Sequence, residues 1–338
     1  MTLGRYLARR LALTVVTLLG VIIVVFLMTR VLPGDPVAVK AGNYATPKVK
    51  AAIRKELGLD KSLPIQLVTY VGNVLRGDLG QSTRSGHSVG SDLVNRLPAT
   101  AELALASLLV GGLLGIPLGI WAALGRGTRR DAVIQQLSIF SAATPVFWFG
   151  LVLIYLFYAR WHIAPPPVGR LDTDIHPPHH LTGLYTVDAL VTGNWHALGN
   201  ALGHLVLPTV ALGFAVMSPF IKMARSSMIT VLGSDYVLAA KSLGLSSREI
   251  VWQDALKNAM ISLLTVTGIV LGYLLAGNVL VETIFAWPGI GYYAWNALTG
   301  SDYDAIQGFV LIVAIIYVFL NLAVDLAYTL IDPRIRLA

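Results

Sequence analysis

Asp235-Tyr-Val-Leu-Ala-Ala-Lys-Ser-Leu-Gly244-Leu-Ser-Ser-Arg-Glu-Ile-Val-Trp-Gln-Asp-Ala-Leu-Lys-Asn-Ala259 is a polar, breaker-punctuated stretch caught between long apolar runs. The surrounding chain is 55% hydrophobic and 13% charged over 338 residues, far outside a soluble globular balance. A membrane protein that keeps such a stretch is offering it to a soluble partner. Its apolar neighbours set the fold class. Crossing a ~30 Å hydrocarbon core takes about 20 helical residues. Six uncharged runs approach that length: Leu11–Thr29, Leu103–Gly125, Ala132–Ala159, Leu205–Ile221, Asn258–Val281 and Ala305–Val324. An unpaired backbone cannot sit in lipid, so all six read as helices. The expected fold is an all-α polytopic membrane protein with six transmembrane helices.

Basic residues orient the bundle. Arg5, Arg9 and Arg10 precede the first span, Arg126, Arg129 and Arg130 fill the second-to-third connection, and Arg334 and Arg336 close the chain. Lys222, Arg225, Lys241, Arg248 and Lys257 lie between the fourth and fifth spans, whereas Glu282 to Ile306 carries no lysine or arginine. This alternation puts both termini and the Asp235–Ala259 stretch in the cytoplasm. Nine Lys and Arg between Lys40 and Arg96 do not reverse it, because long loops translocate largely regardless of charge. The first apolar run is too long for a cleaved secretory signal, and Arg30-Val-Leu-Pro-Gly-Asp-Pro36 offers no small-x-small cleavage site. The formal charge of +7 is an orientation signature, not a nucleic-acid footprint, since no basic, aromatic-interleaved soluble domain carries it. With no cysteine there are neither disulfides nor thiolate metal sites.

Three regions follow: a cytoplasmic N-terminus with the first span at 1–31, an external helical insertion at 32–100, and a five-helix core at 101–338 whose cytoplasmic loop spans 222–258. In the insertion, Thr46-Pro47 and Gly58 bracket one helix by N-cap, proline and glycine, and a second runs from Leu63-Pro64 to Val74. From there to Pro98 the sequence reads as polar and irregular. His162 to Gly203, rich in proline and histidine, reads as an ordered loop. Within the spans, Gly111, Gly115 and Gly119 share one face, and Gly268 and Gly272 repeat the pattern, as helix-packing residues do. Thr144-Pro145 should kink the third span.

In the opening stretch, Asp235 to Leu243 is helix-compatible, with Ala239 and Ala240 as its small members. Gly244 ends it, and Ser246-Ser-Arg-Glu249 is a capping box that starts a fresh helix toward the fifth span. Two short helices broken at a glycine make a compact projection able to seat in a partner's groove.

At these residues the chain resembles, over nearly its whole length, the permease subunits of ABC importers of the bacterial dipeptide, oligopeptide and nickel uptake type. That family's cytoplasmic motif, Glu-Ala-Ala, three residues, then Gly, is matched by Leu238-Ala239-Ala240-Lys241-Ser242-Leu243-Gly244, followed by Leu245. Leu32-Pro-Gly-Asp-Pro36, Leu57-Gly-Leu-Asp60, Gly77-Asp-Leu-Gly80, Phe285-Ala-Trp-Pro-Gly-Ile-Gly291 and Asp332-Pro-Arg-Ile-Arg336 resemble its peptide branch. Leu238 replaces the motif's acidic residue, and Ser262 stands where a proline is usual. The resemblance implies a type I importer permease in a bacterial inner membrane, paired with a second homologous permease. Two ATPase subunits would grip Ala239 to Leu245, and an extracytoplasmic binding protein would deliver peptides. The chain would hold no cofactor, with ATP and magnesium on the ATPases. Independently, none of its eight lysines follows a glycine, so it lacks a phosphate loop and is not itself expected to be an enzyme.

Other readings are weaker. Gly86-His-Ser88-Val-Gly90 matches a nucleophile elbow, but that motif needs a buried strand before it and a helix after it, and here it follows Gln81-Ser-Thr-Arg-Ser in a loop too short for a hydrolase sheet. An ion-coupled secondary transporter would place ionisable groups at mid-membrane, whereas Glu102, His204 and Asp325 sit toward span ends. All seven histidines fall on the external side, and His176-Pro-Pro-His179-His180 makes nickel or another small solute the alternative cargo. Trp287, Tyr292, Tyr293 and Trp295 suit interfacial anchors.

Overall fold

The computed structural model describes residues 3–31, 37, 41, 45–56, 58–246 and 249–331; Leu32–Pro36, Leu57, Ser247, Arg248 and Asp332–Arg336 lie outside that description, as do the side chains of Leu238 and Lys241. The described residues form α1 (Leu3–Val31), α2 (Pro47–Glu56), α3 (Leu63–Leu75), α4 (Val89–Leu124), α5 (Arg129–Ala143), α6 (Val146–Leu153) and α7 (Tyr185–Val191). They continue through α8 (Trp195–Leu232), α9 (Asp235–Ser242), α10 (Leu256–Leu275), α11 (Val279–Ile284), α12 (Ile290–Thr299) and α13 (Tyr303–Ile331). Two π-helical turns, Ile154–Arg160 and Ile250–Ala255, extend α6 and precede α10. Among the described residues the only β-pairing is an isolated bridge between Gln81 and Ser88.

Four stretches are long and apolar enough to cross a membrane: α4, α8, Ile250–Leu275 and the Tyr303–Ala327 part of α13. A fifth arises if α5 and α6 with its π-turn count as one broken span, bent by 96°. In α1 the apolar part among described residues, Ala12–Met28, is a shorter helix. The bend falls at Thr144-Pro145. Thr144 leaves the helix in an extended conformation, its hydroxyl and N–H both bonded to the Phe140 carbonyl, and Pro145 opens α6. Proline lacks the N–H that would continue the ladder.

Several boundaries differ from the sequence reading. α4 starts at Val89, not after Pro98, because Ser88 enters it in extended conformation and the helix absorbs Pro98 and Pro117 as interior residues. The loop expected at His162 to Gly203 contains α7 and the first turns of α8, which Asn194 caps by accepting the Ala197 N–H at 3.1 Å. α8 then continues to Leu232, so residues 222–232 are the last turns of a long helix. The fifth span ends at Leu275; Gly277 (φ +85°) turns the chain into α11.

α8 is the bundle's axis. Buried residues make up 72% of its most apolar window, against 6% for α13, which leaves α13 lining the periphery. The main core gathers Leu103 of α4, Leu212, Val216 and Phe220 of α8, Val266, Val270 and Leu274 of α10, and Phe285 and Trp287 beyond α11. At one end of the bundle lie α2, α3, α7, α11 and α12; at the other lie the α4–α5 turn and the α8–α10 connection.

Candidate coupling site

Glycine sets the distance at which the central helices meet. A Cβ on Gly119 would lie 2.6 Å from both the Ala224 Cβ and the Ile221 carbonyl oxygen of α8. On Gly115 it would lie 2.8 Å from the Met217 carbonyl, and on Gly111 3.1 Å from that of Gly213. The approaches at Gly119 and Gly115 are ones that real Cβ atoms essentially never make, and that at Gly111 is tighter than nearly all, so α4 and α8 touch backbone to backbone along this face. Gly268 and Gly272 face a different partner, α13: a Cβ at the first would run into Val324, and one at the second would lie 3.0 Å from the Tyr317 ring.

The α8–α10 connection hangs from this rigid pair. Ser234 stops α8 by donating its hydroxyl to the Val231 carbonyl at 2.6 Å, and α9 follows. Val237 of α9 is fully buried, and the Tyr236 hydroxyl accepts a hydrogen bond from the Asn258 amide at 3.0 Å, which ties α9 to α10. The helix closes at Gly244 (φ +84°): the Leu245 N–H reaches the Ala240 carbonyl at 3.2 Å and the Leu243 N–H that of Ala239 at 3.1 Å. This six-to-one closure is the Schellman stop, which needs a residue at ease with positive φ. Ser246 and Glu249 then form a reciprocal box. The Glu249 carboxylate accepts from the Ser246 hydroxyl at 2.6 Å and its N–H at 2.8 Å, while the Glu249 N–H reaches back to the Ser246 hydroxyl at 3.3 Å. Those Ser246 hydrogen bonds hold the Glu249 carboxyl below its ordinary range.

Chemistry at the tip is apolar and outward. Leu243 is 83% exposed and Leu245 44%, and Ala239, Ser242 and Gly244 are exposed beside them. The base is closed instead: Val251 and Ala255 of the π-turn pack with Ala123 of α4, Met228 of α8 and Ala259 of α10. A firmly rooted projection with two leucines at its apex presents an apolar surface. Immediately above it, the Arg225 guanidinium of α8 grips the Asp131 carboxylate of α5 at 2.7 and 2.8 Å, with the Gly127 N–H completing that carboxylate at 3.1 Å. Arg225 and Asp131 are 94 residues apart, and sequence reading took Arg225 only as an orientation charge.

At the opposite end several ionisable groups are consumed by structure. Glu102 accepts from Arg170 at 2.5 and 3.1 Å and from the N–H and hydroxyl of Thr186, both at 2.7 Å, while the Arg170 guanidinium stacks 3.5 Å over the Tyr185 ring. Glu282 accepts from the Thr100 hydroxyl and the Tyr292 N–H; its burial pushes the carboxyl up. His204 bonds Asp172, which also accepts from Asn200 and is held low by that bond and by His204. Trp287, expected at an interface, is 1% exposed and donates its indole N–H to the Ala99 carbonyl at 2.7 Å. Among the described residues no three His, Asp or Glu gather as a metal group, and His176, His179 and His180 are exposed. Ser88 of the Gly-x-Ser-x-Gly match opens a helix with no preceding strand.

Residues 115–337 match the family model described as binding-protein-dependent transport system inner membrane component, and residues 3–104 match its N-terminal counterpart. The chain is 42% identical over 335 residues to the "Probable D,D-dipeptide transport system permease protein" of Escherichia coli K12, covering 99% of this chain and 98% of that one. Similarity to the di/tripeptide transport system permease of Pseudomonas aeruginosa is 41% over 334 residues, and to the dipeptide permease of Escherichia coli K12 37% over 335, each covering 98% of both chains. In fold it is similar to a chain of the inward-facing MetNI methionine ABC transporter, with TM-score 0.54, 14% identity, and coverage of 71% of this chain and 96% of that one.

Proposed function

The chain belongs to the family of binding-protein-dependent transport system inner membrane components, and from that premise we propose that it is one permease subunit of an ATP-driven importer of short peptides. It pairs with a second, homologous permease, and the peptide path runs between them. Two ATPase subunits, which hold the ATP and magnesium, seat the Ala239–Leu245 projection of each permease, and an extracytoplasmic binding protein delivers the peptide. The α8–α10 connection and both termini then face the cytoplasm, and the end bearing α2, α3, α7, α11 and α12 faces outward.

The observation that carries this reading is the rooted apolar tip. Leu243 and Leu245 offer a soluble partner a small apolar knob. Its base is locked to α4, α8 and α10, so a displacement of the tip moves the spans instead of bending a loop. ATPase closure therefore rocks the permease between inward and outward openings. Peptides are the cargo because the relatives, alike over their whole length, carry dipeptide and tripeptide names.

The test is isolation of a tagged copy from its native membrane in mild detergent, followed by reconstitution with radiolabelled dipeptide. Co-purification of a second permease and Walker-motif ATPases, with ATP-dependent uptake, is expected. Recovery of this chain alone, transporting on an ion gradient without ATP, would overturn the proposal.

A further inference from the structure

The end bearing α12 holds a pocket of about 270 Å³ between the 82–96 segment and α12, lined among others by Arg84, Arg96, Tyr292, Tyr293, Asn296 and Asp302. Two arginine guanidinium groups and a tyrosine hydroxyl meet there, none of them in an ion pair or a short hydrogen bond among the described residues. Arg96 is half-buried, its guanidinium held 5.3 Å over the Tyr293 ring, and it has no hydrogen-bond acceptor or carboxylate partner among the described residues. Arg84 is exposed, and its guanidinium makes only a long 3.4 Å contact to the Asn296 carbonyl. The Tyr293 hydroxyl, on a residue 6% exposed, makes no hydrogen bond of ordinary geometry, although Ser82 and Asp92 lie close enough to act on it. Buried polar groups are nearly always hydrogen-bonded, so a buried hydroxyl such as that of Tyr293 persists without a close partner where something else completes it.

The pocket's carboxylate does not fill this need. Asp302 is 1% exposed and already committed: it accepts from the Ser82 hydroxyl at 2.6 Å and from the N–H groups of Arg84 and Ala305, both at 3.3 Å, capping α13. Asp92 nearby is likewise taken up by Ser85 at 2.6 Å. Burial, with the charges of Asp92 and Asp302, holds the Tyr293 phenol well above its usual range, so it stays a donor. What remains is two guanidinium forks and one hydroxyl around an open space, with the Tyr292 ring lining the same space.

We infer that this pocket binds the terminal carboxylate of a short peptide, with Arg96 and Arg84 as its cationic contacts and Tyr293 as its neutral donor. Guanidinium forks match a planar carboxylate in a way an ammonium cannot. The identification of the carboxylate as a peptide's rests on the peptide-importer reading above. The site gives the permease a holding point for peptide at its outer face, separate from the selection made by a binding protein.

The experiment uses the assembled transporter in nanodiscs without its binding protein, titrated with Ala-Ala and with Ala-Ala amide, with bound ligand read by saturation-transfer NMR. Ala-Ala is expected to bind about tenfold more tightly than its amide, the scale of one charge-assisted contact. Arg96→Gln should erase that difference, Arg96→Lys recover part of it, and Tyr293→Phe weaken Ala-Ala by a smaller factor. Equal binding of peptide and amide, or Ala-Ala binding unchanged in both Arg96→Gln and Tyr293→Phe, would overturn the inference. So would Arg96→Gln abolishing binding-protein stimulation of ATP hydrolysis with Ala-Ala binding intact, which would assign the arginines to protein docking. Peptide uptake by the wild-type transporter, measured alongside, keeps the two proposals apart: uptake without pocket binding sinks only this one, whereas no peptide uptake at all sinks the broader reading.

Discussion

Arg225 of α8 and Asp131 of α5 form a two-bonded ion pair at 2.7 and 2.8 Å, with the Asp131 side chain 3% exposed and that of Arg225 24%. The pair sits about two helical turns before α8 ends at Leu232 and the α9 projection begins. It joins α5 to the last turns of the central helix. Replacing a buried pair as a unit can be nearly neutral, but removing one partner strands the other. Asp131→Ala should cost about 3 kcal/mol or more and lower the thermal midpoint of the purified protein. Asp131→Asn should cost less, since it keeps an acceptor for Gly127. Equal midpoints for Asp131→Ala and wild type would show that the pair is not a stabilising clasp.

Gly119 and Gly112 lie on the same helix but meet different surroundings. A methyl at Gly119 would collide with two atoms of α8 at 2.6 Å, whereas at Gly112 the nearest atom is the tip of Phe220 at 3.9 Å. Gly119→Ala should therefore destabilise by about 1–3 kcal/mol, as overpacking does. Gly112→Ala, in the same helix interior, should be neutral or gain up to about 1 kcal/mol from the lower entropy cost of alanine. Fluorescence-detected size exclusion after graded heating would rank the two, and the reverse order would contradict the close α4–α8 approach.

Leu243 tests the projection without touching its base. Because it is 83% exposed, Leu243→Asp should leave the melting temperature within error of wild type while abolishing peptide uptake and the transporter's coupled ATP hydrolysis. Gly244→Trp acts differently: it forces a bulky residue to φ +84° and should disturb the Schellman stop as well as the contact. Full transport by Leu243→Asp would remove the tip from the coupling surface.

Acid should loosen the segment around α7 before the spans. Burial pushes the Asp188 carboxyl up, but the hydroxyl and N–H of Thr182 and the N–H groups of Gly183 and Leu181 outweigh it and hold the group below its ordinary value. A carboxyl depressed in the folded state stabilises fully above its unfolded pKa of about 3.9 and loses that contribution as pH falls through the folded value. Hydrogen exchange in residues 181–192 should rise as pH drops below about 4, after correction for intrinsic rates. Asp188→Asn should show raised exchange already at neutral pH and no further step. An unchanged acid step in that variant would place its origin elsewhere.

Most of the long apolar helices, the break at Thr144-Pro145 and the stop at Gly244 were legible from residue order alone. Thr144-Pro145 breaks a span because proline removes its own hydrogen bond; Gly244 ends α9 because the closure needs positive φ; Ser246 and Glu249 reach each other across three residues. Each of these is settled within one or two turns of chain, so local chemistry suffices. Local cues were misleading at Pro98 and at Gly203, which α4 and α8 absorb as interior residues. Tertiary structure alone decided which surfaces meet. Only the fold turns Gly111, Gly115 and Gly119 toward α8, brings Arg170 to Glu102 and Thr100 to Glu282 across 68 and 182 residues, and stands Arg96 over the Tyr293 ring. Such partners arrive from distant parts of the chain, and no periodicity or spacing records who they are.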